Sequence, residues 1–474
     1  MRTRALPALA LLLALASGCA VGPEYRRPQV EPPAAFRGQD QADPASLADQ
    51  PWWQVFADAD LKALIDQALA GNFDVQAAAQ RVEEYRARAG MERADYLPTL
   101  TPGAGWTRGR NSGYTTGGGS TGSVFNVQAT LNWELDLWGR LRRLNEAARA
   151  RYLGTLEARR GVCLATVAQV AQAWFELRDL DTRLAIAKDS VADYQATLEL
   201  FNRRLQAGAA SALETSRAQA ALATAQASVP DLERQIAAQE NLISLLLGRG
   251  PGPVPRSGDP AAADLPPAIP AGLPSALLER RPDLRRAEQD LVAANAAVGV
   301  AQAAWFPTFT LTSVLGGIAP ELNQLFGKGK EWEINPALNG PSIQGLRLRD
   351  QKAVAVAQWQ QARTQYQAAV TGAFGEVATL LTAYRKLAEQ EQAQAQAVAA
   401  NREAVRLATL RYDTGLSSYL DVLDAQQQLY PARDALAAVR LARQATLVGL
   451  YKALGGGWNL EDPGKAGGWA APKG

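Results

Sequence analysis

The chain has 474 residues, 47% of them hydrophobic but only 7% aromatic, with 26 Pro, 40 Gly, two Cys and no His. That length is enough for two or three domains and a sizeable core. Lys and Arg number 49 against 47 Asp and Glu, so no global field draws the chain onto nucleic acid, and the missing histidine removes Ser-His-Asp and Cys-His catalysis and most zinc centres.

The first 18 residues read as an export signal. Arg2 and Arg4 form a basic end, Ala5 to Leu15 an apolar stretch too short to span a bilayer, and Ala16-Ser17-Gly18 lead into Cys19. Small residues before a cysteine resemble the bacterial lipobox, in which that cysteine is lipidated and becomes the mature N-terminus. The large aliphatic usual three places before Cys is Ala16 here, with Leu15 one place earlier; an ordinary signal peptide cut nearby is the alternative. Ala20, in place of Asp after the cysteine, goes with delivery to the outer membrane. Lipidation of Cys19 leaves Cys163 as the only thiol, which excludes an intrachain disulfide. Among Val162, Leu164 and Val167, Cys163 reads as a small buried hydrophobe.

An extended segment (19–57) precedes the first helix, which presents Leu61, Leu64, Ile65, Ala68 and Leu69 on one face. Gly71-Asn72 ends it, a second helix follows to about Tyr96, and Pro98 stops that one. Phe125 to Asp136 then alternates throughout: Phe125, Val127, Ala129, Leu131, Trp133 and Leu135 on one face, Asn126, Gln128, Thr130, Asn132, Glu134 and Asp136 on the other. Twelve residues of period two predict a long strand with one apolar and one wet face. Its expected partner is Thr99 to Arg108, across the Gly-, Ser- and Thr-rich loop Gly109 to Ser123. Arg140 to about Gln206 is Ala-, Gln-, Arg-, Glu- and Leu-rich without proline; as helix, at ~1.5 Å per residue, it extends ~100 Å. Its spaced Leu, Val and Ala positions predict coiled-coil packing against neighbours. A turn near Gly208 and a return helix to about Leu247, bent at Pro230, complete a first unit (58–248).

Eight prolines between Pro251 and Pro274 mark a stiff linker (249–274), after which the plan repeats (275–456) before a C-terminal tail (457–474). Residues 74–100 align without gaps on 283–309 with eight identities in 27, and 204–222 align on 411–429 with seven in 19. Arg140-Leu141-Arg142 likewise matches Arg347-Leu348-Arg349. The second copy predicts strands at Thr308–Leu315 and Trp332–Asn339, a loop holding Gly316, Gly317, Gly327 and Gly329, a long helix from Arg347 to about Asp413, and a return helix from the turn at Gly415 to about Leu454. Pro336 weakens the last strand, since proline cannot donate to a ladder, and Pro431 predicts a bend in the return helix.

A soluble half-buried sheet is one account of such alternation. Strand length, nearby tryptophans and the export signal favour the wall of an outer-membrane barrel, which needs ~9–11 residues per strand. No stretch after the signal reaches ~18 uncharged apolar residues, so a membrane crossing has to be made by strands. Four strands cannot close a barrel, because the smallest membrane barrels need about eight, so several chains must share one.

These features together resemble the TolC-type outer-membrane efflux lipoproteins of the OprM and NodT group. The match is carried by Cys19-Ala20-Val21-Gly22-Pro23-Glu24-Tyr25-Arg26-Arg27-Pro28, by Trp52-Trp53 with Phe56 and Asp58, by Trp133-Glu134-Leu135-Asp136-Leu137-Trp138-Gly139-Arg140, by Arg280-Arg281-Pro282-Asp283, and by Tyr412 through Gln426. The resemblance covers nearly the whole chain and implies a mainly helical TolC-like fold: a long α-helical periplasmic tunnel with four β-strands per chain entering a shared 12-stranded trimeric barrel. It further implies a homotrimer, lipid-anchored at Cys19 in the outer membrane and extending into the periplasm, that passively conducts small molecules or ions from an inner-membrane efflux pump through a periplasmic adaptor.

In that family the tunnel closes where the helix hairpins converge. By resemblance Tyr412 is the latch tyrosine, Glu214 occupies the acidic latch position of the first copy, and Ser417 stands where TolC has a latch arginine, a departure that predicts a weaker link between the copies. Asp421 and Asp424, three residues apart, share a helix face; in a trimer they place six carboxylates around the axis, where repulsion raises proton affinity and favours cations. Two rival readings exist. An enzyme using Asp421 and Asp424 for acid-base chemistry lacks any accompanying His, phosphate loop or metal-ligand cluster, so neither cofactor nor metal is expected. A periplasmic coiled-coil adaptor or structural lipoprotein shares the anchor and long helices but should lack the strand hairpin that each copy carries.

Overall fold

The computed structural model describes residues 20–39, 45–56, 58–110, 119, 121–208, 210–258, 269–340 and 345–456. The export signal, Cys19, the middle of the first strand loop, part of the Pro-rich linker and the tail after residue 456 lie outside the described residues. In chain order the main elements are α1 (Ala59–Gly71), α2 (Phe73–Ala94), β1 (Thr99–Arg110), β2 (Thr121–Leu135), α3 (Arg140–Gln206), α4 (Ala212–Leu246), α5 (Pro282–Ala303), β3 (Thr308–Ala319), β4 (Lys330–Asn339), α6 (Gly345–Asp413) and α7 (Tyr419–Ala453). No described helix is long and apolar enough to cross a membrane. Helices α4 and α7 continue through Pro230 and Pro431.

The chain divides into two compact units, each drawing on both halves of the sequence: residues 1–29, 80–157 and 286–368, and residues 30–79, 158–285 and 369–474. The first unit holds one antiparallel sheet in the order β1-β2-β3-β4. Its register gathers most apolar side chains on one face across all four strands, with Arg108, Ser313 and Lys330 among them and Val314 and Ile318 on the other face. Leu100, Ala104 and Trp106 lie opposite Leu131, Val127 and Phe125, and Ala129 and Trp133 lie opposite Leu315 and Leu311, which face Trp332 and Pro336. The other face carries Thr99, Thr101, Asn126, Gln128, Thr130, Asn132, Thr310, Thr312, Asn335 and Asn339. Because side chains alternate, a slip of one residue would turn every apolar group onto the wet face, so a two-sided environment holds this register firmly.

Strand β3 runs four residues beyond the expected Leu315, pairing Gly316 and Gly317, which the sequence assigned to a loop, with Gln128 and Val127. The reason is close backbone approach: a Cβ on Gly316 would stand 2.2 Å from the Val127 carbonyl oxygen. Pro336 does lie within β4, opposite Leu311, and Pro102 lies within β1. Both are the outermost strands of the chain's sheet.

Below the sheet in the same unit, Ala147 and Ala150 of α3 meet Ala293 and Ala296 of α5, small side chains that let the two helices approach closely. The N-terminal arm is fastened to these helices. Val21 N–H donates to the Trp138 carbonyl at 3.0 Å, Asn295 Nδ2 to the Pro23 carbonyl at 2.9 Å, and the Arg27 guanidinium to both oxygens of buried Glu288 at 2.7 and 2.6 Å.

The second unit is built on helix packing. Asp58 caps α1 by accepting from Asp60 and Leu61 N–H, and the spacing of Leu61, Leu64, Ile65 and Ala68 buries one stripe. Each such Leu or Ile contributes ~1.5–3 kcal/mol. Trp174, fully buried on α3, donates its indole N–H to Asp58 at 2.9 Å. Arg256 ties the linker to the helices through Asp181 at 2.7 Å and Glu240 at 2.5 Å.

Candidate functional site

Two places concentrate unusual chemistry: the hairpin turns of the helical unit and the two-faced sheet. At the first turn Gly208 takes φ +69°, the left-handed conformation that ends α3. Ser211 and Glu214 then form a capping box at the start of α4: the Ser211 hydroxyl accepts from Glu214 N–H at 3.3 Å, and Glu214 accepts from Ser211 N–H at 2.8 Å and from its hydroxyl at 3.0 Å. The backbone N–H of Ser211, then its hydroxyl, hold the Glu214 carboxyl below its usual range. At the second turn Gly415 likewise takes a left-handed φ of +74°, but Ser418 at the start of α7 makes no side-chain cap.

The structure sets the Tyr412 ring beneath the Arg204 guanidinium, 4.7 Å from its centroid, and edge-on to Tyr419 at 4.9 Å. Glu214 lies close enough to raise the Tyr412 hydroxyl pKa as a minor contribution, behind burial. It is committed to Ser211, however, and the Tyr412 hydroxyl oxygen is buried without a hydrogen bond. The Ser417 hydroxyl oxygen is in the same condition. Asp421 and Asp424 are exposed on α7. Asp424 accepts from Gln428 Nε2 at 2.9 Å and lines a groove of about 830 Å³ between α4 and α7, together with Arg217, Tyr194, Leu423 and Tyr430.

A set of contacts absent from the sequence reading joins the two hairpins. Arg183 of α3 donates to both carboxylate oxygens of Asp434 on α7 at 2.8 and 2.9 Å, and Arg433 donates to Asp189 at 2.9 Å. The Tyr430 hydroxyl donates to Asp193, and the Thr197 and Tyr419 hydroxyls share a hydrogen bond of 2.5 Å. Ile186, Tyr194, Phe201, Leu222, Val422 and Leu423 pack between them as one apolar cluster. The Arg183 and Asp434 side chains are 34% and 42% exposed, so this pair contributes little, ~0.2–1 kcal/mol; the buried rings and aliphatics carry the adhesion. Asp189, Asp193 and Thr197 recur at four-residue spacing along α3, a pattern visible in sequence, whereas their partners on α7 are set by packing.

On the sheet, the charged side chains of the wet face among the described residues are Glu134, Glu331 and Glu333. Glu134 is paired with Arg140 at 2.7 Å. The aromatic groups bracket the apolar face: Trp106 stacks on Phe125 at one end, while at the other Trp133 donates to the Tyr96 carbonyl at 3.0 Å and Trp138 stacks on Phe306. Eight residues separate Phe125 from Trp133, a rise of ~27 Å, which fits the ~25 Å apolar band of an outer-membrane strand once tilted.

Four strands with one lipid-compatible face, combined with two long helix hairpins, define a channel protein of the TolC-like outer-membrane class. The chain belongs to the outer membrane efflux protein family, whose model matches residues 64–249 and 273–456. It is similar to the toluene efflux pump outer membrane protein TtgC of Pseudomonas putida, with 35% identity over 98% of each chain. It also resembles the cation efflux system protein CusC of Escherichia coli O6:H1, with 33% identity over 93% of this chain and 96% of that one. The open state of the Neisseria gonorrhoeae MtrE outer membrane channel superposes with a TM-score of 0.82 at 32% identity, covering 93% of this chain and 98% of that one.

Proposed function

We propose that three copies of this chain share one 12-stranded barrel and form the outer-membrane duct of a tripartite efflux system, receiving small molecules or ions from an inner-membrane pump through a periplasmic adaptor. The observation that carries this reading is the sheet. Its apolar face is continuous over four strands, yet β1 and β4 each have one edge without a partner among the described residues, and an open edge in lipid leaves backbone groups unsatisfied. Pairing β4 of one copy with β1 of the next closes the wall and turns the wet face inward. The two halves of the chain are then copies of one unit that each supply a strand hairpin and a helix hairpin.

The lipid anchor at Cys19 fits the course of the N-terminal arm. Ala20 lies against Gly139, where β2 gives way to α3, and a Cβ on Gly139 would stand 2.7 Å from that of Ala20. Ala20, next to Cys19 in sequence, thus stands at the end of a strand of the proposed barrel wall.

The hairpin turns are the proposed periplasmic gate. Tyr412, Ser417 and Glu214 lie on its first-to-second-hairpin seam, and Asp421 and Asp424 supply the constriction's carboxylates. The unpartnered Tyr412 and Ser417 hydroxyl oxygens support a seam that is only lightly latched. Outer membranes should yield a heat-modifiable trimer that conducts in planar bilayers, and D421A/D424A should change conductance and cation block with the trimer intact. A soluble monomer after removal of the lipid would sink the channel reading. Unaltered conductance and block would remove the two aspartates from the constriction.

A further inference from the structure

A groove of about 700 Å³ crosses the apolar face of the sheet, within the ~300–1,000 Å³ range of ligand sites. The register places Pro102, Ala104, Val127 and Ala129 along its floor, and Trp332 stands at its side, 74% exposed. Phe326, 68% exposed, comes from the connection between β3 and β4. That connection is folded on itself: the Gln324 carbonyl accepts from Gly327 and Gly329 N–H at 3.1 and 2.9 Å, Ile318 N–H donates to the Gly329 carbonyl at 2.8 Å, and Leu325 is 1% exposed. Gly317 permits the fold, since a Cβ there would stand 2.3 Å from the Leu325 carbonyl oxygen.

The groove also has a charged end. Lys330 pairs with Gly317, so it belongs to the apolar face, and it lines the groove at the first residue of β4. Lys328, two residues earlier, is exposed, and neither lysine has an ion-pair partner among the described residues. Glu331, the adjacent carboxylate, belongs to the wet face, where Gln128 Nε2 donates to it at 3.4 Å. A cation on the lipid face of a barrel is costly at mid-membrane and nearly free at the interface. Its position at the strand end beside an aromatic-walled apolar trough therefore matches a headgroup above an acyl chain.

We propose that this groove binds one acyl chain of an anionic membrane lipid, with Lys330 holding the phosphate of its headgroup. The occupant follows from charge complementarity: Pro102, Ala104, Val127, Ala129, Phe326 and Trp332 are apolar, and of the two charged residues that line the groove Lys330 shares their face, whereas the Glu331 carboxylate accepts from Gln128 on the other. The proposal rests on the sheet being a barrel wall.

The test uses the full-length protein in a nonionic detergent. After addition of either dioleoylphosphatidylglycerol or uncharged dioleoylglycerol, native mass spectrometry counts the lipid retained per chain. The wild type should hold the phospholipid under activation that strips the neutral lipid. Lys330→Gln should lower phospholipid retention about fivefold, and Ala104→Trp, which fills the floor, should abolish it; Ala129→Phe serves the same purpose if the first variant loses its heat-modifiable assembly. Equal retention of both lipids, or wild-type retention by Lys330→Gln, overturns the phosphate contact. Retention that survives the floor substitutions overturns the groove. Protein that stays soluble and monomeric without detergent instead overturns the barrel reading beneath it.

Discussion

Asp179 lies 9% exposed on α3, one turn from Arg183 and its bond to Asp434. Burial pushes its carboxyl up to about 6; Arg183 opposes that shift, while Asp434 and Glu176 add to it. Gln239 of α4 faces the same region and donates to Glu176 at 3.2 Å. Since the folded value lies above the ordinary 3.8, the folded state binds this proton more tightly than the unfolded chain does. Its stabilising contribution is complete below about pH 4 and is lost as pH rises through about 6. Asp179→Asn should therefore raise the thermal midpoint at pH 8, by ~1–3 kcal/mol in stability, and flatten the gain the wild type shows between pH 7 and 5. Circular dichroism melts of the detergent-solubilised protein at stepped pH check this; an unchanged slope would exonerate Asp179. Nothing in the sequence distinguishes this aspartate from the other acids of α3, because its burial is set by helices distant in the chain. Glu214 shows the converse. Ser211 and Glu214, three residues apart, spell a capping box that sequence alone can propose, and the structure contains it.

At the scale of the element, helices and strands follow closely from periodicity. The observed α3 has the bounds Arg140 to Gln206 that its Ala-, Gln-, Arg-, Glu- and Leu-rich composition predicts, and β2 spans the alternating run Phe125 to Leu135. The departure was β3, whose last four residues look like a loop because Gly316 and Gly317 have no β propensity. What makes them a strand is the partner: Val127 and Gln128 approach Gly316 too closely for a side chain, and the Leu325 carbonyl does the same at Gly317. Gly316→Ala should thus disrupt the β2-β3 ladder, with a loss of heat-modifiable assembly on gels and of strand signal by infrared spectroscopy, whereas Gly327→Ala, where the nearest atom is 3.6 Å away, should leave both near wild type. Normal assembly of Gly316→Ala would show that this contact is not limiting.

At the scale of the whole molecule, charge follows the sheet's two faces. The carboxylates of Glu331 and Glu333 stand two residues apart on the wet face near the β3-β4 connection, with Val314 and Gly316 opposite them. In a shared barrel they recur once per chain as a ring of fixed negative charge, separate from Asp421 and Asp424. Replacing both by Gln should shift the reversal potential in a salt gradient toward lower cation preference and leave the single-channel conductance within about twofold, because fixed lumen charge acts on local ion concentration. An unmoved reversal potential would assign selectivity elsewhere.

The faces of the strands, the extents of the long helices, their turns at Gly208 and Gly415, and the duplicated order of elements were all legible in the sequence. Each depends on spacing between near neighbours, which the chain carries at every point along its length. Only the tertiary structure decided that α3 meets α7 through Arg183 and Asp434, 251 residues apart, that Glu214 turns to its own helix end while Tyr412 lies under Arg204, and that Leu325 folds the β3-β4 connection back beside Gly317. Those outcomes depend on which buried surfaces fit together, a property of packing between distant segments that no local pattern of residue types encodes.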